Sequence, residues 1–295
     1  MVPYGSQSMV QPLKNVLVKR PEEAFQNQAH IDAEWQSLGF LSRPDFNCAV
    51  DEHRKFTSLL EVAGAQVSYL AGDGRTGLDS LYTHDPVASV TSQGVILGRM
   101  GKTNRMKEPQ TQKDWYIDSG IPIAGWIESP GTVEGGDVVW LKENLVVIGL
   151  TYRTNSEGIR QFQSLMKPCG VDVISVPMVH WEGSGAVLHL MSIISMLDSD
   201  LAVVYERLLP IPFRSMLFAL GIDLIYVPDS EYDSLGCNVL AVKPRHVIVR
   251  SGNPITVKRM RAAGCVVGEF SGDHICYAGS GGPTCLTRPV YRASR

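Results

Sequence analysis

The segment EGGDVVWLKENLVVI, residues 134–148, carries the pattern that decides the fold of this chain. Glu134 and two glycines precede an apolar run at 138–141, and a second apolar run follows at 145–148. We call the polar residue that precedes such a pair of runs the polar leader. Both runs are rich in the β-branched and large apolar residues that favour strands. The Lys-Glu-Asn turn between them is short enough to join antiparallel neighbours. We therefore predict a β-hairpin that begins just after Glu134.

The same pattern recurs along the chain, each time behind a polar leader. The further hairpins are predicted at 88–90 with 95–97, at 192–197 with 201–205, and at 239–242 with 247–249. A fifth copy is split between the ends of the chain, at 284–286 and 15–19. Successive leaders at positions 85, 134, 189, 238 and 285 are separated by 49, 55, 49 and 47 residues. A period of this length indicates a solenoid or a propeller.

Helix-like segments and further strands fill the intervals between hairpins. Helices are predicted at 156–167, 212–220 and 254–263, and the apolar strands that follow them at 171–176, 224–227 and 265–270. Two of these helices have proline near the first turn and end before Gly221 or Gly264, the expected helix signals. The unit of hairpin, helix and strand predicts an α/β propeller. We expect one domain over residues 1–295, with residues 1–12 as an extension of undetermined order.

Composition excludes several classes of protein. The 295 residues carry 27 Lys and Arg against 30 Asp and Glu, a net charge of −3, with 44% hydrophobic and 19% charged residues. Without a basic run, the chain lacks the electrostatic footprint of a nucleic-acid-binding protein. The sequence has no apolar stretch long enough to span a membrane and no secretory signal pattern at its start. We therefore expect a cytoplasmic protein without a membrane partner. The six cysteines include no C-x-x-C pair, and we expect most to be free thiols.

The five leaders bring different chemistry to equivalent positions of the repeat. In a radial arrangement such positions converge near one axis, and burying polar groups there is costly unless they satisfy one another. Each leader taken alone could simply be a turn residue, but the repeat favours a shared site. These residues are Asp85, Glu134, His189, Asn238 and Cys285.

A cysteine within reach of a histidine is the minimum for thiolate catalysis. Cys285 follows the glycine-rich run 279–282, which lets main chain approach a ligand closely. His189 lies in an apolar run, where a buried core histidine is the plainer explanation. Glu134 and Asp85 add carboxylates, and a planar guanidinium suits a pair of carboxylates with a nucleophile above its central carbon. The residues thus point to a cationic substrate.

At these positions the sequence resembles the guanidine-modifying hydrolases, the family of dimethylarginine dimethylaminohydrolase, arginine deiminase and the amidinotransferases. The resemblance covers nearly the whole chain, and no single motif decides it. The matching stretches are 13–21, Asp79, 85–86, 134–137, 152–155, 189–190, 236–240 and 281–287. The family fold is a five-bladed α/β propeller with pseudo-fivefold symmetry, which agrees with the repeat.

The resemblance implies a catalytic role for three residues. Cys285 would attack the guanidinium carbon, His189 would protonate the departing amine and then activate water, and Glu134 would orient the histidine. Substrate-binding roles are implied for Asp85 at the guanidinium and for Arg153 and Arg105 at a substrate carboxylate, although surface cations are the simpler interpretation of the two arginines. The remaining residues assigned to substrate binding are Asp79, Tyr82, His84 and Asn238. We expect no cofactor and no metal.

Two departures from the family pattern bear on the substrate. Met191 stands where enzymes acting on free arginine carry an aspartate, and its apolar thioether favours an alkylated guanidine. His84 stands where the dimethylarginine enzymes carry a glutamate, which affects recognition of the substrate amino group. The leading prediction is hydrolysis of N,N-dimethyl-L-arginine to L-citrulline and dimethylamine. The rival predictions are an arginine deiminase, a dihydrolase, an amidinotransferase and a non-catalytic binder of guanidino compounds.

Two further stretches have more than one interpretation. The loop around Trp181 could cover the site or simply pack against it. The apolar segment 208–219 could support a homodimer, but a helix facing the core explains it as well. His274 and Cys276 lack the further ligands that a metal site needs.

Overall fold

The protein is described by a computed structural model that covers residues 2–293. Fifteen strands alternate with helices along this part of the chain. The strands are β1 (Leu13–Lys19), β2 (Gln66–Leu70), β3 (Val87–Thr91), β4 (Gly94–Leu97), β5 (Ile123–Trp126), β6 (Val138–Lys142), β7 (Leu145–Leu150), β8 (Asp172–Pro177), β9 (Ile194–Asp198), β10 (Leu201–Val204), β11 (Asp223–Tyr226), β12 (Val239–Lys243), β13 (His246–Arg250), β14 (Val266–Phe270) and β15 (Arg288–Arg292).

Eight α-helices connect these strands, several of them preceded or followed by short 3₁₀ turns. They are α1 (Pro21–Ala24), α2 (Gln28–Glu34), α3 (Phe46–Val62), α4 (Glu108–Asp118), α5 (Ser156–Met166), α6 (Ile211–Ala219), α7 (Asp229–Tyr232) and α8 (Pro254–Ala262). The predicted helices correspond to α5, α6 and α8, which begin and end within two residues of the predicted limits. The predicted set did not include α3 or α4, which complete the first two units.

The strands form five separate three-stranded sheets with one common pattern. In chain order the sheets are β15-β1-β2, β3-β4-β5, β6-β7-β8, β9-β10-β11 and β12-β13-β14. In each, the middle strand pairs antiparallel with one neighbour and parallel with the other, as β7 does with β6 and β8. The helix of each unit spans the parallel crossover. The fold is therefore a five-bladed α/β propeller, as predicted.

The fifth blade joins the two ends of the chain. Strand β1 pairs antiparallel with β15 and parallel with β2, so a blade split between the two ends of the chain is confirmed. Its C-terminal strand is Arg288–Arg292 and not the predicted 284–286, which forms a turn instead. The residues before β1 are tied to the propeller as well. The Gly5 amide donates to the Val290 carbonyl at 2.9 Å, and the Ser6 amide donates to the Val90 carbonyl at 2.7 Å. The described part of segment 1–12 thus bridges the first and last blades.

The hydrophobic core lies between the blades and under the outer helices. In the blade formed by β6, β7 and β8, Ile159, Phe162 and Met166 of α5 pack against Val146 and Ile148 of the sheet. Such spacing of i, i+3 and i+7 places the three side chains on one helical face. Within residues 2–293, no helix has the length and apolar character needed to cross a bilayer. All six cysteines are free thiols, as expected.

Candidate active site

The polar leaders lie where the chain enters the first strand of each blade, at one end of the propeller axis. Glu134 and His189 each precede a 3₁₀ turn that leads into β6 or β9, and Asn238 directly precedes β12. The repeat therefore brings their side chains together from distant parts of the sequence. His189 Nε2 lies 2.7 Å from Glu134 Oε2, and His189 Nδ1 lies 3.9 Å from Asp85 Oδ1. Asn238 Nδ2 lies 3.4 Å from Cys285 Sγ.

The glycines after Glu134 allow this close approach. A Cβ atom at Gly136 would lie 2.5 Å from His189 Nδ1, and one at Gly135 would lie 2.4 Å from the His84 carbonyl oxygen. Neither distance is possible for a real side chain, because the facing atoms are fixed by their own packing. The Gly136 amide also donates to Asp85 Oδ1 at 3.1 Å. The glycines thus fix the separation between the carboxylates and the imidazole.

Opposite charges hold His189 in its protonated form. Burial alone would lower the pKa of the imidazole, but the charges of Asp85 and Asp137 and the hydrogen bond to Glu134 outweigh it and raise the pKa to about 9. At neutral pH the site therefore contains an imidazolium between carboxylates. An imidazolium can donate a proton to a departing amine, and its neutral form can later accept one from water.

Cys285, unlike His189, is held in its uncharged form. Burial and the nearby charge of Asp85 raise the pKa of its thiol to about 11, although the hydrogen bonds from Thr284 and Asn238 act to lower it. The thiol is half-buried and is mostly protonated at neutral pH. Only the thiolate is a competent nucleophile. A cation beside Cys285 would therefore be needed to favour ionisation.

Asp137 is a site residue that belongs to the stretch 134–137, one of those that carry the family resemblance, but sequence reasoning gave it no role. Its Oδ1 accepts a hydrogen bond from the Leu190 amide at 2.9 Å, and its Oδ2 accepts one from Thr151 Oγ1 at 2.8 Å. Burial raises the pKa of this carboxyl to about 6. Because Leu190 follows His189 directly, Asp137 fixes the backbone that carries the imidazole. Its position three residues after Glu134 was the available signal.

Arg105 is placed differently from the prediction. Its guanidinium donates to Asp85 Oδ2 at 2.6 Å, to both oxygens of Glu108 at 2.8 and 3.0 Å, and to the Tyr82 carbonyl at 2.9 Å. These four hydrogen bonds are all buried, and they use four of the five N–H groups of the guanidinium. Arg105 is thus a partner of Asp85, and the structure leaves little of it to bind a substrate carboxylate.

Lys102 is a second residue that sequence reasoning missed. Its Nζ donates to Asp79 Oδ2 at 2.6 Å and to the Leu38 carbonyl at 2.7 Å, and its amide donates to Glu134 Oε1 at 3.0 Å. Asp79, which was assigned to substrate binding, is therefore already paired with a lysine. No spacing rule could have found this pair, because Asp79 lies in the 3₁₀ turn Leu78–Leu81 and Lys102 precedes a different turn, at Thr103–Arg105.

His84 faces away from the imidazole and carboxylates that surround its neighbour Asp85. Its Nδ1 donates to the Thr287 carbonyl at 2.8 Å, and its Nε2 lies 3.5 Å from Arg288 Nη1. Burial and the charge of Arg288 lower the pKa of His84 to about 3, so the ring is neutral. His84 was assigned to substrate binding, and this role stays a prediction; in the structure its ring nitrogens face Thr287 and Arg288.

Arg153 and Tyr82 keep unsatisfied donors near the site. Arg153 Nη1 lies 3.9 Å from Glu134 Oε1, and its buried Nε has no hydrogen-bond partner. The Tyr82 hydroxyl is also buried without a partner, and its ring lies against Gly279 and Gly281. Arg153 lines a pocket of about 300 Å³ together with Thr151, Tyr152, Met178, His180 and Leu188. This pocket combines a cation with aromatic and apolar walls.

The loop around Trp181 lies along this pocket. Tyr152 and His180 are joined by a hydrogen bond of 2.6 Å, and Trp181 packs edge-on against Tyr232 of the next blade. Met191 is buried in the core cluster with Leu190 and Ile193.

Among the described residues, Asp85, Glu134 and His189 form the one grouping of three side chains with metal-ligand geometry, within 4.8 Å of one another. Their ligand atoms already serve the hydrogen bond of Glu134 to His189 and the ion pair of Asp85 with Arg105. The absence of a metal in the working enzyme stays a prediction.

Comparison with known proteins defines the class. The sequence profile of the arginine deiminase family matches residues 79–220 and 213–292. The N(G),N(G)-dimethylarginine dimethylaminohydrolase of Pseudomonas aeruginosa is 28% identical over 76% of this chain and 82% of that protein.

Two solved structures share the fold. A Pseudomonas aeruginosa dimethylarginine dimethylaminohydrolase complexed with citrulline has a TM-score of 0.76 at 24% identity, covering 94% of this chain and 98% of that one. An amidinotransferase of saxitoxin biosynthesis from Microseira wollei has a TM-score of 0.78 at 17% identity, covering 100% and 98%.

The fold and the profile match define a guanidine-modifying enzyme of the dimethylarginine dimethylaminohydrolase and arginine deiminase type. The chain belongs to the arginine deiminase family.

Proposed function

We propose that this protein hydrolyses a C–N bond of an N-substituted guanidine, with N,N-dimethyl-L-arginine as the leading substrate and L-citrulline and dimethylamine as products. The observation that carries the proposal is the buried imidazolium of His189 between Glu134 and Asp85, on the same axis as the thiol of Cys285. A binding protein would need the carboxylates but neither the nucleophile nor the protonated histidine.

The first half of the reaction forms a covalent intermediate. The guanidinium binds against the carboxylates of Asp85 and Glu134, and its charge lowers the cost of ionising Cys285. The thiolate forms an S–C bond to the central carbon and gives a tetrahedral adduct. His189 then transfers its proton to the substituted nitrogen, the C–N bond breaks, and the amine departs. An S-alkylthiouronium remains on Cys285.

The second half consumes water. Neutral His189 takes a proton from a water molecule as the oxygen attacks the thiouronium carbon. The C–S bond then breaks, the thiolate leaves, and a ureido product is released. The hydrogen bond from Asn238 Nδ2 holds the sulfur in place through both steps, and Thr284, which donates to Asn238 Oδ1, fixes that amide. Asp137 acts on neither bond and positions His189.

The carboxylate at the other end of the substrate would be bound by Arg153. Its unpartnered Nε and the adjoining pocket offer a binding place for a carboxylate. Asp79 is paired with Lys102, so recognition of an α-amino group would need exchange of that ion pair. Similarity to the Pseudomonas aeruginosa enzyme favours dimethylarginine as the substrate. The family profile and the amidinotransferase structure favour arginine or another guanidino compound as the second candidate.

A product assay separates these functions. Wild-type protein and Cys285→Ser are incubated with asymmetric dimethylarginine and with arginine, and citrulline, ornithine, ammonia and dimethylamine are quantified together. Citrulline with dimethylamine from the wild type alone supports the proposal. From arginine, citrulline with ammonia identifies a deiminase, and ornithine with ammonia identifies a dihydrolase. Transfer of the amidino group to an added amine identifies an amidinotransferase. Substantial turnover by Cys285→Ser would contradict the covalent mechanism.

A further inference from the structure

A second polar region lies on the propeller axis, separate from the thiol and the imidazolium. It is a small cavity with a volume of about 20 Å³, room for one occupant of about the size of a water molecule. All five blades contribute to its wall, and the N-terminal segment contributes Ser6, Ser8 and Met9. His84 lines this cavity while its neighbour Asp85 faces the site. We call this space the axial cavity.

Two arginines from strand β15 line the axial cavity. Arg288 and Arg292 are 4% and 6% exposed. Arg288 Nη1 donates to the Val87 carbonyl at 2.9 Å and more distantly to the His84 carbonyl at 3.4 Å. The hydrogen bonds of Arg292 likewise go to backbone carbonyls, those of Gln11 at 2.6 Å and Ala241 at 2.9 Å.

Neither arginine has an anionic partner. Within residues 2–293, no carboxylate forms an ion pair with Arg288 or Arg292, and the buried Nε of each has no hydrogen-bond partner. By contrast, Ser8 Oγ accepts hydrogen bonds from the Val10 and Gln11 amides, both at 3.1 Å, which leaves its own hydrogen free to donate. The residues that line the cavity therefore include Arg288, Arg292 and Ser8 with donors that lack an acceptor, and none of the lining residues that the structure describes carries a negative charge.

In the part of the chain that the structure describes, no negative charge around the axial cavity balances the positive charges of Arg288 and Arg292. His84 is neutral, and Asp85, the nearest carboxylate, is committed to Arg105. Burial lowers the pKa of Arg288 to about 10, and burial together with the charge of Arg288 lowers that of Arg292 to about 9. Both side chains remain cationic at neutral pH. Two buried cations without a counter-charge are costly, and a buried anion would remove that cost.

We propose that the axial cavity is a binding site for one small monovalent anion, of which chloride is the physiological example, held between Arg288 and Arg292. The unpartnered guanidinium N–H groups and the Ser8 hydroxyl are the donors such an ion requires. The volume excludes sulfate, phosphate and organic carboxylates. The site serves the folded state of the propeller and does not depend on the reaction proposed for Cys285.

Thermal unfolding at constant ionic strength tests this site. Sodium gluconate is replaced stepwise by sodium chloride, because gluconate is too large for the axial cavity. We expect the Tm of the wild type to rise with the logarithm of the chloride concentration once this exceeds the Kd, by about 4 °C at hundredfold excess. Arg292→Gln should lose this rise. The control Arg207→Gln, which removes an exposed cation that pairs with Asp229, should keep it.

Crystallography gives a second test that needs no variant. A wild-type crystal grown in bromide at tens of millimolar is expected to show one anomalous peak between Arg288 and Arg292. A water molecule at that position would overturn the proposal. The proposal would also be overturned if the peak appeared only at molar bromide and the Tm did not change with chloride. Such a peak would mark an adventitious ion only. An equal chloride response in wild type and Arg292→Gln would also contradict it.

Discussion

Beside Cys285 the buried charges form close ion pairs, whereas in the axial cavity Arg288 and Arg292 donate only to uncharged groups, namely backbone carbonyls and the neutral ring of His84. The pairs of the site are His189 with Glu134, Arg105 with Asp85 and Glu108, and Lys102 with Asp79. Glu134 and His189 of the site precede the first strand of a blade, whereas both arginines of the axial cavity lie within β15 itself. The difference shows that the fold supplies polar positions along its axis and that their chemistry is set locally.

The matched charges have a functional meaning. The carboxylates of the site already bind protein cations. A cationic guanidinium can still bind there, because it competes with those cations for carboxylates that are already in position. The axial cavity has no such carboxylates, so only an anion would be stabilised there. The same low-dielectric surroundings thus favour ions of opposite sign at the two places.

The largest effect is expected from Glu134→Gln. The amide keeps the shape of the side chain but removes the charge that supports the imidazolium of His189 at 2.7 Å. We expect kcat to fall by about 10²- to 10³-fold, as is common when a general acid–base loses its support. The matched control is Glu128→Gln, an exposed residue of the loop before β6. Unchanged kcat in Glu134→Gln would remove the charge pair from the mechanism.

Substitution of the arginines compares the two regions directly. Arg105→Gln leaves Asp85 and Glu108 buried without their cation, and we expect it to lower the free energy of unfolding by about 3–5 kcal/mol. Arg292→Gln removes a cation that has no carboxylate partner, and in chloride-free buffer we expect a loss of about 1 kcal/mol. Urea unfolding monitored by circular dichroism measures both. Equal losses would show that the distinction between matched and unmatched charges is wrong.

The free thiol provides a pH test of the site. Because the pKa of Cys285 is raised to about 11, its thiolate fraction in the unliganded protein should grow about tenfold per pH unit between pH 7 and 10. The rate of alkylation by iodoacetamide, read as the difference between wild type and Cys285→Ser, should rise in proportion. A plateau below pH 8 would mean that a protein cation already activates the thiol without substrate.

A smaller change is expected at Lys102. Lys102→Gln retains a hydrogen-bond donor near Asp79 but removes the positive charge. For a guanidino substrate with an α-amino group we expect KM to fall about two- to fivefold, because Asp79 becomes a free carboxylate. For an analogue without the amino group KM should stay the same. Lys107→Gln, at an exposed position of the same segment, is the control. Equal KM changes for both compounds would place Asp79 outside the substrate site.

Local sequence rules anticipated the fold because its signals are local and repeated. The hairpin after Glu134, the helix at 156–166 and the split blade at the termini depend on strand propensity, turn length and spacing. The helix α4 at Glu108–Asp118 was not anticipated. It has no apolar periodicity, since its buried face includes Glu108, Thr111 and Gln112. Tertiary hydrogen bonds, and not an apolar stripe, hold that helix in place.

The sequence by itself determined the propeller, its closure through the two termini and the identity of the residues at the inner ends of the blades. Only the tertiary structure decided which charges meet. Several of the deciding contacts join segments that are far apart in sequence. They are those of Arg105 with Asp85, of Lys102 with Asp79 and of His84 with Thr287. Their partners follow from loop packing, which no local spacing encodes, and the distances between them set the pKa values and the free donors.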